Sequence, residues 1–176
     1  YIQDDGTIHD VELQTFNYET DYSSRNHGLI DPSGLQGKVV TIVGIGSGGS
    51  RTAEDLVRSG VTRLNIIDFD TVSISNICRS IYNLDDIGKK KTDALYEKLM
   101  KINPCADIRR YDIDLLKFDP EELSRIIDES FLIMECTDSI KSKLLMNGLA
   151  YREKIVIYPS VYEAGRGSDI LFTVPG

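Results

Sequence analysis

Cysteine and histidine, which supply most zinc ligands and reactive thiols in proteins, are scarce in this sequence. Its 176 residues include three cysteines and two histidines. The cysteines are Cys78, Cys105 and Cys136, and none of them lies in a C-x-x-C pair. The sequence therefore predicts no structural zinc site. An odd, scattered set of cysteines is typical of reduced thiols in the cytosol, and we expect a cytoplasmic protein.

Long apolar segments are also missing. No apolar run approaches the roughly 20 residues that a helix needs to span a bilayer. Residues 1–12 are acidic and lack the basic and apolar regions of a signal peptide. We therefore expect no association with a membrane.

Positive charge is in deficit. The chain has 20 Lys and Arg against 28 Asp and Glu, a formal net charge of −8. Nucleic-acid binding needs a cationic surface that displaces counterions, so we expect no nucleic-acid partner. A nucleotide such as ATP needs only a few well-placed positive charges, which an acidic protein can supply locally.

The composition changes sharply near residue 37. Residues 1–36 are polar and show no sustained hydrophobic period, which predicts an extended arm or linker. Residues 37–176 have the mixture of apolar and charged residues that is expected of one folded domain. The whole chain is 41% hydrophobic and 27% charged, as is usual for globular proteins.

Apolar runs alternate with amphipathic segments along residues 37–176. Strands are predicted at 39–43, 64–67, 108–113, 130–136 and 155–158, with a further edge strand at 169–174. Helices are predicted after residue 49, at about 93–102, from Pro120, and over about 140–149. This alternation predicts a doubly wound α/β fold, with a mainly parallel, Rossmann-like sheet and helices on both faces.

A glycine motif follows the first predicted strand. Residues 44–49 read G-x-G-x-x-G between a strand and a helix, as in loops that hold a phosphate at a helix N-terminus. Asp68 ends the second strand, where an acid that binds ribose is expected. The combination predicts a nucleotide site, although it does not distinguish NAD from ATP, and a glycine turn that binds nothing is the alternative.

The residues beyond Asp68 favour ATP. An Asn, an Arg and a run of Lys follow the second strand, where a dehydrogenase would need an apolar nicotinamide pocket. Cations at this place can offset the charge that builds on phosphorus and pyrophosphate when a carboxylate attacks ATP, with Mg²⁺ sharing that role.

These motifs together resemble the ThiF/MoeB/ubiquitin-activating E1 superfamily. The superfamily pattern is a glycine loop, D-x-D-x-V-x-x-S-N-x-x-R, a lysine in G-x-x-K, and a later T-D. This chain carries the last three at residues 68–79, 88–91 and 137–138. The resemblance runs from about Tyr22 to the end of the chain.

The resemblance implies a role for each matching residue at an ATP site. Three glycines would cradle the nucleotide: Gly44, Gly46 and Gly49. Asp68 would hold the ribose hydroxyls. Three side chains would contact the phosphates: Asn76, Arg79 and Lys91.

Two further roles are implied by the same resemblance. Asp138 would take the Mg²⁺ ion or orient the adenylate. Family members form homodimers in which an N-terminal arginine reaches the partner's ATP site, and Arg25 matches its position. Such an arginine supplies positive charge to the transition state only once the dimer has formed.

The implied activity is adenylation of a carboxylate, most often the C-terminal glycine of a ubiquitin-like (β-grasp) protein. Such an enzyme forms acyl-AMP and pyrophosphate from ATP and Mg²⁺. A carboxylate is already ionised at neutral pH, so the reaction needs no side-chain base. The alternatives are an NAD-dependent oxidoreductase with the same glycine loop, and a non-catalytic relative that only dimerises or holds a partner.

Several of these side chains also have purely structural interpretations. Arg79 could form a surface ion pair with Asp85 or Asp86, and residues 89–91 could be a solvated helix start. Asp138 could be the N-cap of the helix that follows it. Cys136 is expected to be buried in a strand, and Cys78 is a weaker candidate for a catalytic thiol.

The sequence departs from the family pattern in three ways. Ser47 replaces a common glycine, and Ser139 replaces the usual asparagine after T-D. Relatives often continue past the Pro175–Gly176 position into zinc-binding C-x-x-C pairs and a catalytic cysteine. We expect either a C-terminally truncated chain or a protein that stops at adenylation, and in both cases no thioester transfer by this chain alone.

Overall fold

The computed structural model describes the greater part of the domain predicted at residues 37–176. The described residues are 6, 13–15, 34, 37–150, 152–162 and 166–176. The chain divides into two compact units, Tyr1–Asp31 and Pro32–Gly176, and every element named below belongs to the second. Most of the predicted arm, including Arg25, lies outside the described residues.

Six strands within the described residues form one sheet. They are β1 (Val39–Val43), β2 (Arg63–Ile67), β3 (Asp107–Tyr111), β4 (Ser130–Glu135), β5 (Ile155–Tyr162) and β6 (Gly167–Thr173). Their order across the sheet is β3-β2-β1-β4-β5-β6. Every neighbouring pair is parallel except β5 and β6, so the predicted parallel sheet with an added edge strand is confirmed.

Helices connect the parallel strands. They are α1 (Ser47–Arg58), α2 (Ile74–Ile77), α3 (Lys91–Ile102), α4 (Pro120–Glu129) and α5 (Ile140–Ala150), and short 3₁₀ helices lie at Leu84–Asp86 and Leu115–Lys117. Pro120 opens α4 as predicted, and the Asp119 carboxylate caps it by accepting hydrogen bonds from two N–H groups of the first turn. None of the helices in the described part of the chain is both long and apolar enough to cross a membrane.

The helices cover the sheet on both faces, which confirms the doubly wound architecture. One apolar core lies between the sheet and helices α1 and α3, and a second lies between the sheet and helices α4 and α5. All five residues of β1 are buried, because this strand lies near the centre of the sheet between both cores.

Some boundaries differ from the sequence prediction by one to two residues. Helix α3 begins at Lys91 rather than Asp93, β3 ends at Tyr111 rather than Ile113, and β4 ends at Glu135 rather than Cys136. Helix α2 was not predicted, since four residues are too few to show a helical period. It is stabilised locally by Asn76, whose Oδ1 accepts a 2.8 Å hydrogen bond from the Ser73 N–H.

The strand order fixes where a ligand can bind. From β1 the chain proceeds outward through β2 to β3 and then returns to β4 on the other side of β1. Open α/β sheets bind ligands outside the carboxyl ends of their strands, at the point where the order reverses. The glycine loop follows β1 directly and therefore lies at this point.

Candidate active site

The glycine loop packs tightly against its own backbone and against the loop after β4. Gly44 has φ of 79°, a conformation that side chains disfavour, and its N–H donates a 2.8 Å hydrogen bond to the Ile67 carbonyl. A Cβ atom on Gly44 would lie 2.7 Å from the Thr137 Cγ2 atom. A Cβ atom on Gly49 would lie 2.0 Å from the Gly44 carbonyl oxygen. Glycine is therefore required at both positions by close packing.

The start of helix α1 is open. A Cβ atom on Gly46 or Gly48 would meet nothing within 4 Å. Gly46 is the N-cap residue, and no side chain caps the helix. The first N–H groups of a helix have no intrahelical partners, so this end of α1 can bind an anion such as a phosphate.

Asp68 fastens the glycine loop to the end of β2. Its Oδ2 accepts a 3.0 Å hydrogen bond from the Ile45 N–H, and its Oδ1 accepts a 2.9 Å bond from the Asp70 N–H. The residue is only 8% exposed. Each carboxylate oxygen can accept more than one hydrogen bond, so the group retains capacity for ribose hydroxyls.

Lys91 is buried beside this carboxylate. The residue is 6% exposed, and its Nζ donates a 2.6 Å hydrogen bond to Oδ2 of Asp70 and lies 3.6 Å from Oδ2 of Asp68. The interpretation of Lys91 as part of a solvated helix start is therefore wrong. A buried ammonium group held against the Asp68 carboxylate is suited to a polyanionic ligand.

The two preceding lysines differ from Lys91 in their surroundings. Lys89 is paired with Glu97 at 2.7 Å, and Lys90 with Asp112 at 3.2 Å. Both pairs are largely solvent-exposed. The structure therefore distinguishes Lys91 from its neighbours as the lysine at the glycine loop.

Tyr82 forms a hydrogen bond with the glycine loop that the sequence analysis did not predict. Its Oη donates a 2.7 Å hydrogen bond to the Ile45 carbonyl, and the residue is 2% exposed. Burial, together with the charges of Asp68 and Asp86, raises the pKa of the Tyr82 phenol. The phenol thus remains a proton donor. The sequence around Tyr82 contains no motif that would predict a hydrogen bond to a residue 37 positions away.

Asn76 and Arg79 lie on and just after helix α2. The Oδ1 of Asn76 accepts hydrogen bonds from the N–H and the hydroxyl of Ser73, which leaves the amide nitrogen as a donor. Arg79 is exposed, and within residues 37–150, 152–162 and 166–176 no hydrogen bond or ion pair involves its guanidinium group. The alternative of an ion pair with Asp85 or Asp86 is therefore wrong.

Asp138 lies in the loop between β4 and α5. It is exposed, and its carboxylate makes no hydrogen bond or ion pair with the described residues. The predicted alternative, that Asp138 caps α5, is wrong. Ser139 is the cap, because its Oγ accepts a 3.2 Å hydrogen bond from the Ser142 N–H.

Glu135 is a second buried acid near the loop, and it too was missed. It is 0% exposed, and burial raises the pKa of its carboxyl, although hydrogen bonds from Thr137 and Ser142 and the charge of Lys143 oppose that shift. The available signal was a lone acid at the end of an otherwise apolar run, residues 131–135.

The cysteines differ in their surroundings. Burial and the neighbouring Glu135 raise the pKa of the Cys136 thiol to about 12, so it is protonated at neutral pH and unsuited to nucleophilic attack. Cys136 directly follows β4 and is half-buried. Cys78 is exposed, and its Sγ lies 3.6 Å from the Ser75 carbonyl.

The described residues contain no cluster of three or more His, Cys, Asp or Glu side chains that could hold a metal ion. Mg²⁺ is commonly bound by one or two carboxylates together with substrate phosphates and water. A single exposed carboxylate such as that of Asp138 meets that requirement.

Direct contacts join most of the predicted residues into one group. Lys91 contacts Asp68, Asp68 contacts the glycine loop, and the loop contacts Thr137, the neighbour of Asp138. Within the described residues, the side chains of Asn76, Arg79 and Asp138 make no hydrogen bond or ion pair to this group.

The last two glycines of the loop, Gly48 and Gly49, offer a matched test of the loop geometry. We expect Gly49→Ala to abolish nucleotide binding and to lower the free energy of unfolding by about 2 kcal/mol or more, because its Cβ would overlap the Gly44 carbonyl. Gly48→Ala, whose Cβ enters open space, should fold with near-normal stability. Urea denaturation and ATP titration of both variants measure these effects. Equal stability and equal ATP binding in the two variants would contradict the close packing described.

Comparison with known proteins identifies the family. Residues 26–175 match the model of the ThiF family. The chain is 31% identical over 140 residues to a molybdopterin-synthase adenylyltransferase of Escherichia coli (strain K12), covering 79% of this chain and 55% of that protein. It is 32% identical over 121 residues to ubiquitin-like modifier-activating enzyme 5 of Arabidopsis thaliana, covering 61% of this chain and 28% of that protein.

The chain thus spans about half, or less, of the length of these relatives. Among solved structures it resembles E. coli MccB with succinimide, with a TM-score of 0.76 and 20% identity, covering 92% of this chain and 49% of that one. It also resembles E. coli tRNA N6-threonylcarbamoyladenosine dehydratase, TcdA, in complex with ATP, with a TM-score of 0.67 and 22% identity, covering 78% and 56% of the two chains. At these identities the likenesses establish a shared fold. The family match covers most of the sequence, and the chain therefore belongs to the ThiF family.

Proposed function

We propose that this chain uses ATP to adenylate a carboxylate, and that the acceptor is the C-terminal glycine of a ubiquitin-like (β-grasp) protein. The observation that carries the proposal is the position of Lys91, a buried ammonium group held against the acid that fastens the glycine loop. Hydride transfer would not need a cation at this place. The names of the relatives, an adenylyltransferase and a modifier-activating enzyme, support the same activity.

The glycine loop and helix α1 account for nucleotide binding in this proposal. The open N-terminus of α1 receives the phosphates, since Gly46 and Gly48 leave room there for a close approach. Asp68 accepts hydrogen bonds from the ribose hydroxyls while it keeps its bond to the Ile45 N–H. The nucleotide is thereby fixed at both its ribose and its phosphates.

The cationic side chains stabilise charge on the reacting phosphates. Lys91 donates a hydrogen bond to the partly exposed carboxylate of Asp70, and in this proposal it transfers that bond to a phosphate oxygen. Arg79 has no partner among the described residues and is available for the same purpose. Asn76 adds an uncharged donor. Such preorganised donors act where negative charge develops during the reaction.

Asp138 is the residue that would hold Mg²⁺ together with the phosphates. When bound, the ion would neutralise negative charge on the triphosphate. The substrate carboxylate is the nucleophile at the α-phosphorus: its oxygen forms the new P–O bond, the bond to pyrophosphate breaks, and no proton transfer is needed. Positioning and electrostatics therefore supply most of the catalysis.

The proposal includes a homodimer in which Arg25 of one subunit completes the ATP site of the other. Its support is the match of the sequence around Arg25 to the family pattern, as given above. Magnesium, the dimer and the cytoplasmic location are parts of this proposal.

Exchange of labelled pyrophosphate into ATP tests the activity directly. We expect the full-length protein to catalyse exchange only when a β-grasp acceptor with a free C-terminal glycine is present. Thermal-shift titration should show a larger rise in melting temperature with MgATP than with NAD, since a ligand that binds the native state stabilises it. A larger rise with NAD would favour the oxidoreductase, and no response to either would favour the non-catalytic relative.

Lys91 and Lys90 form a matched pair for mutagenesis. We expect Lys91→Met to reduce kcat/KM for exchange by about 10²-fold or more, as is found when one preorganised donor is removed from a developing oxyanion. Lys90→Met removes an exposed ion pair with Asp112 and an exposed 3.4 Å hydrogen bond to the Phe69 carbonyl, and it should leave exchange within about threefold of wild type. Equal losses in both variants would contradict the assignment of Lys91.

Arg79 allows activity to be separated from stability. Because the exposed guanidinium group has no partner among the described residues, we expect Arg79→Ala to change the free energy of unfolding by no more than about 0.5 kcal/mol. Exchange activity should nevertheless fall by about 10²-fold. Lys101→Ala, which removes an exposed cation from the last turn of α3, is the control. Normal exchange by Arg79→Ala would exclude Arg79 from the site.

A further inference from the structure

Glu135 is a fully buried acid that the proposed chemistry does not use. It is the last residue of β4, paired with Val43 of β1, and it is 0% exposed. Burial of a carboxyl group is unfavourable unless its oxygens are hydrogen-bonded, and an apolar residue would fit a strand core without that cost. A buried acid at this place therefore points to a role beyond packing.

The hydrogen bonds of Glu135 go to the segment that carries Asp138. Its Oε1 accepts bonds from the hydroxyls of Thr137 at 2.5 Å and Ser142 at 2.8 Å. The Thr137 hydroxyl oxygen in turn accepts a 3.3 Å bond from the Ser139 N–H, and the Ser139 hydroxyl caps α5. Both residues that flank Asp138 are therefore tied, through hydroxyl groups, to one buried carboxyl.

The same segment touches the glycine loop. Thr137 lies so close to Gly44 that a Cβ atom there would be 2.7 Å from the Thr137 methyl and 3.0 Å from its backbone nitrogen. The Cys136 N–H donates a 2.7 Å bond to the Val43 carbonyl. A displacement of Thr137 would thus move either Asp138 or the phosphate-binding turn.

The other polar groups near Glu135 are engaged elsewhere or unpaired. Lys143 of α5 directs its Nζ to the Pro159 carbonyl at 3.3 Å and to the Ser160 hydroxyl at 3.0 Å. Within the described residues, Oε2 of Glu135 and the buried Oη of Tyr158 on β5 have no hydrogen-bond partner. The two hydroxyls are therefore the groups that Glu135 holds in place.

We propose that Glu135 is a positioning residue for the adenylation site, which holds Asp138 in register with the glycine loop through its hydrogen bond to Thr137. The inference rests on the proposed function. It assigns Glu135 no contact with ATP or with the acceptor, so its loss should slow the reaction more than it weakens nucleotide binding.

Four variants separate this role from packing. Glu135→Gln keeps an acceptor oxygen at the same place, whereas Glu135→Met keeps the bulk and removes both oxygens. Thr137→Val keeps a methyl group against Gly44 and removes the hydroxyl. The fourth variant combines Glu135→Met with Thr137→Val, and because both changes remove one shared interaction, their effects should not add.

The measurements are pyrophosphate exchange, ATP affinity by calorimetry, and amide hydrogen exchange at Ser139. We expect Glu135→Met and Thr137→Val to lower kcat by about 10- to 100-fold, as small misplacements of catalytic groups do, with KM for ATP within about threefold of wild type. The Ser139 amide should exchange faster in both variants. Glu135→Gln should recover kcat to within about threefold of wild type, and the double variant should be no slower than the slower single variant.

The outcomes distinguish this inference from the proposed function. A wild-type protein that gives no exchange with any acceptor contradicts the function itself, while amide exchange and ATP affinity still report on the Glu135 network. An active wild type, with full kcat in Thr137→Val, overturns the positioning role even where Glu135→Met fails to fold. Additive losses in the double variant, or a loss in Glu135→Gln as large as in Glu135→Met, overturn it as well.

Discussion

The hydrogen bond from the Ile45 N–H to the Asp68 carboxylate is the interaction on which the site depends. It joins the glycine loop after β1 to the end of β2 and leaves the carboxylate next to the Lys91 ammonium group. The bond from the Gly44 N–H to the Ile67 carbonyl joins the same two segments, and the Asp68 carboxylate adds the connection to the Lys91 ammonium group. One carboxylate therefore sets both the position of the turn and the local charge.

The loop is held from its other side by a second acid. Glu135 at the end of β4 binds Thr137, and Thr137 packs against Gly44. The glycine loop that follows β1 thus lies between the ends of β2 and β4. Strand β2 ends next to the buried carboxyl group of Asp68, and β4 ends at that of Glu135. Tyr82 also holds the loop, because its Oη donates a hydrogen bond to the Ile45 carbonyl. Few of these contacts are local in sequence, so the turn depends on the assembled sheet.

Burial of this many polar groups is unfavourable in itself, because each must exchange water for a protein partner. Most of these polar groups have protein partners. Asp68 contacts Lys91 and accepts hydrogen bonds from two N–H groups, and Glu135 accepts hydrogen bonds from two hydroxyls. The remaining apolar burial in the two cores supports the sheet that aligns them.

Much of the fold could be predicted from the sequence, because hydrophobic period and glycine placement are local signals. Each of the six strands was placed with its boundaries correct to within a few residues, and the mainly parallel sheet followed from the alternation of elements. The antiparallel pairing of the edge strand β6 was shown by the structure. Helix α2 escaped prediction because its four residues are too few to show a helical period and are stabilised by local hydrogen bonds between Ser73 and Asn76. Asp138 was considered as an alternative cap of α5, whereas the cap is Ser139, since both residue types cap helices well and only the backbone path distinguishes them.

The sequence by itself determined the family, the architecture and the identity of the residues at the glycine loop, because these are written in motifs and periods a few residues long. Tertiary structure alone decided the environments. It buried Lys91 while leaving Lys89 and Lys90 in partly exposed ion pairs, and it left Arg79 without a partner among the described residues. It also brought Tyr82 to the Ile45 carbonyl, 37 residues away, and Thr137, which Glu135 binds, against Gly44. Burial and long-range hydrogen bonds depend on which strands become neighbours, and a linear pattern does not contain that information.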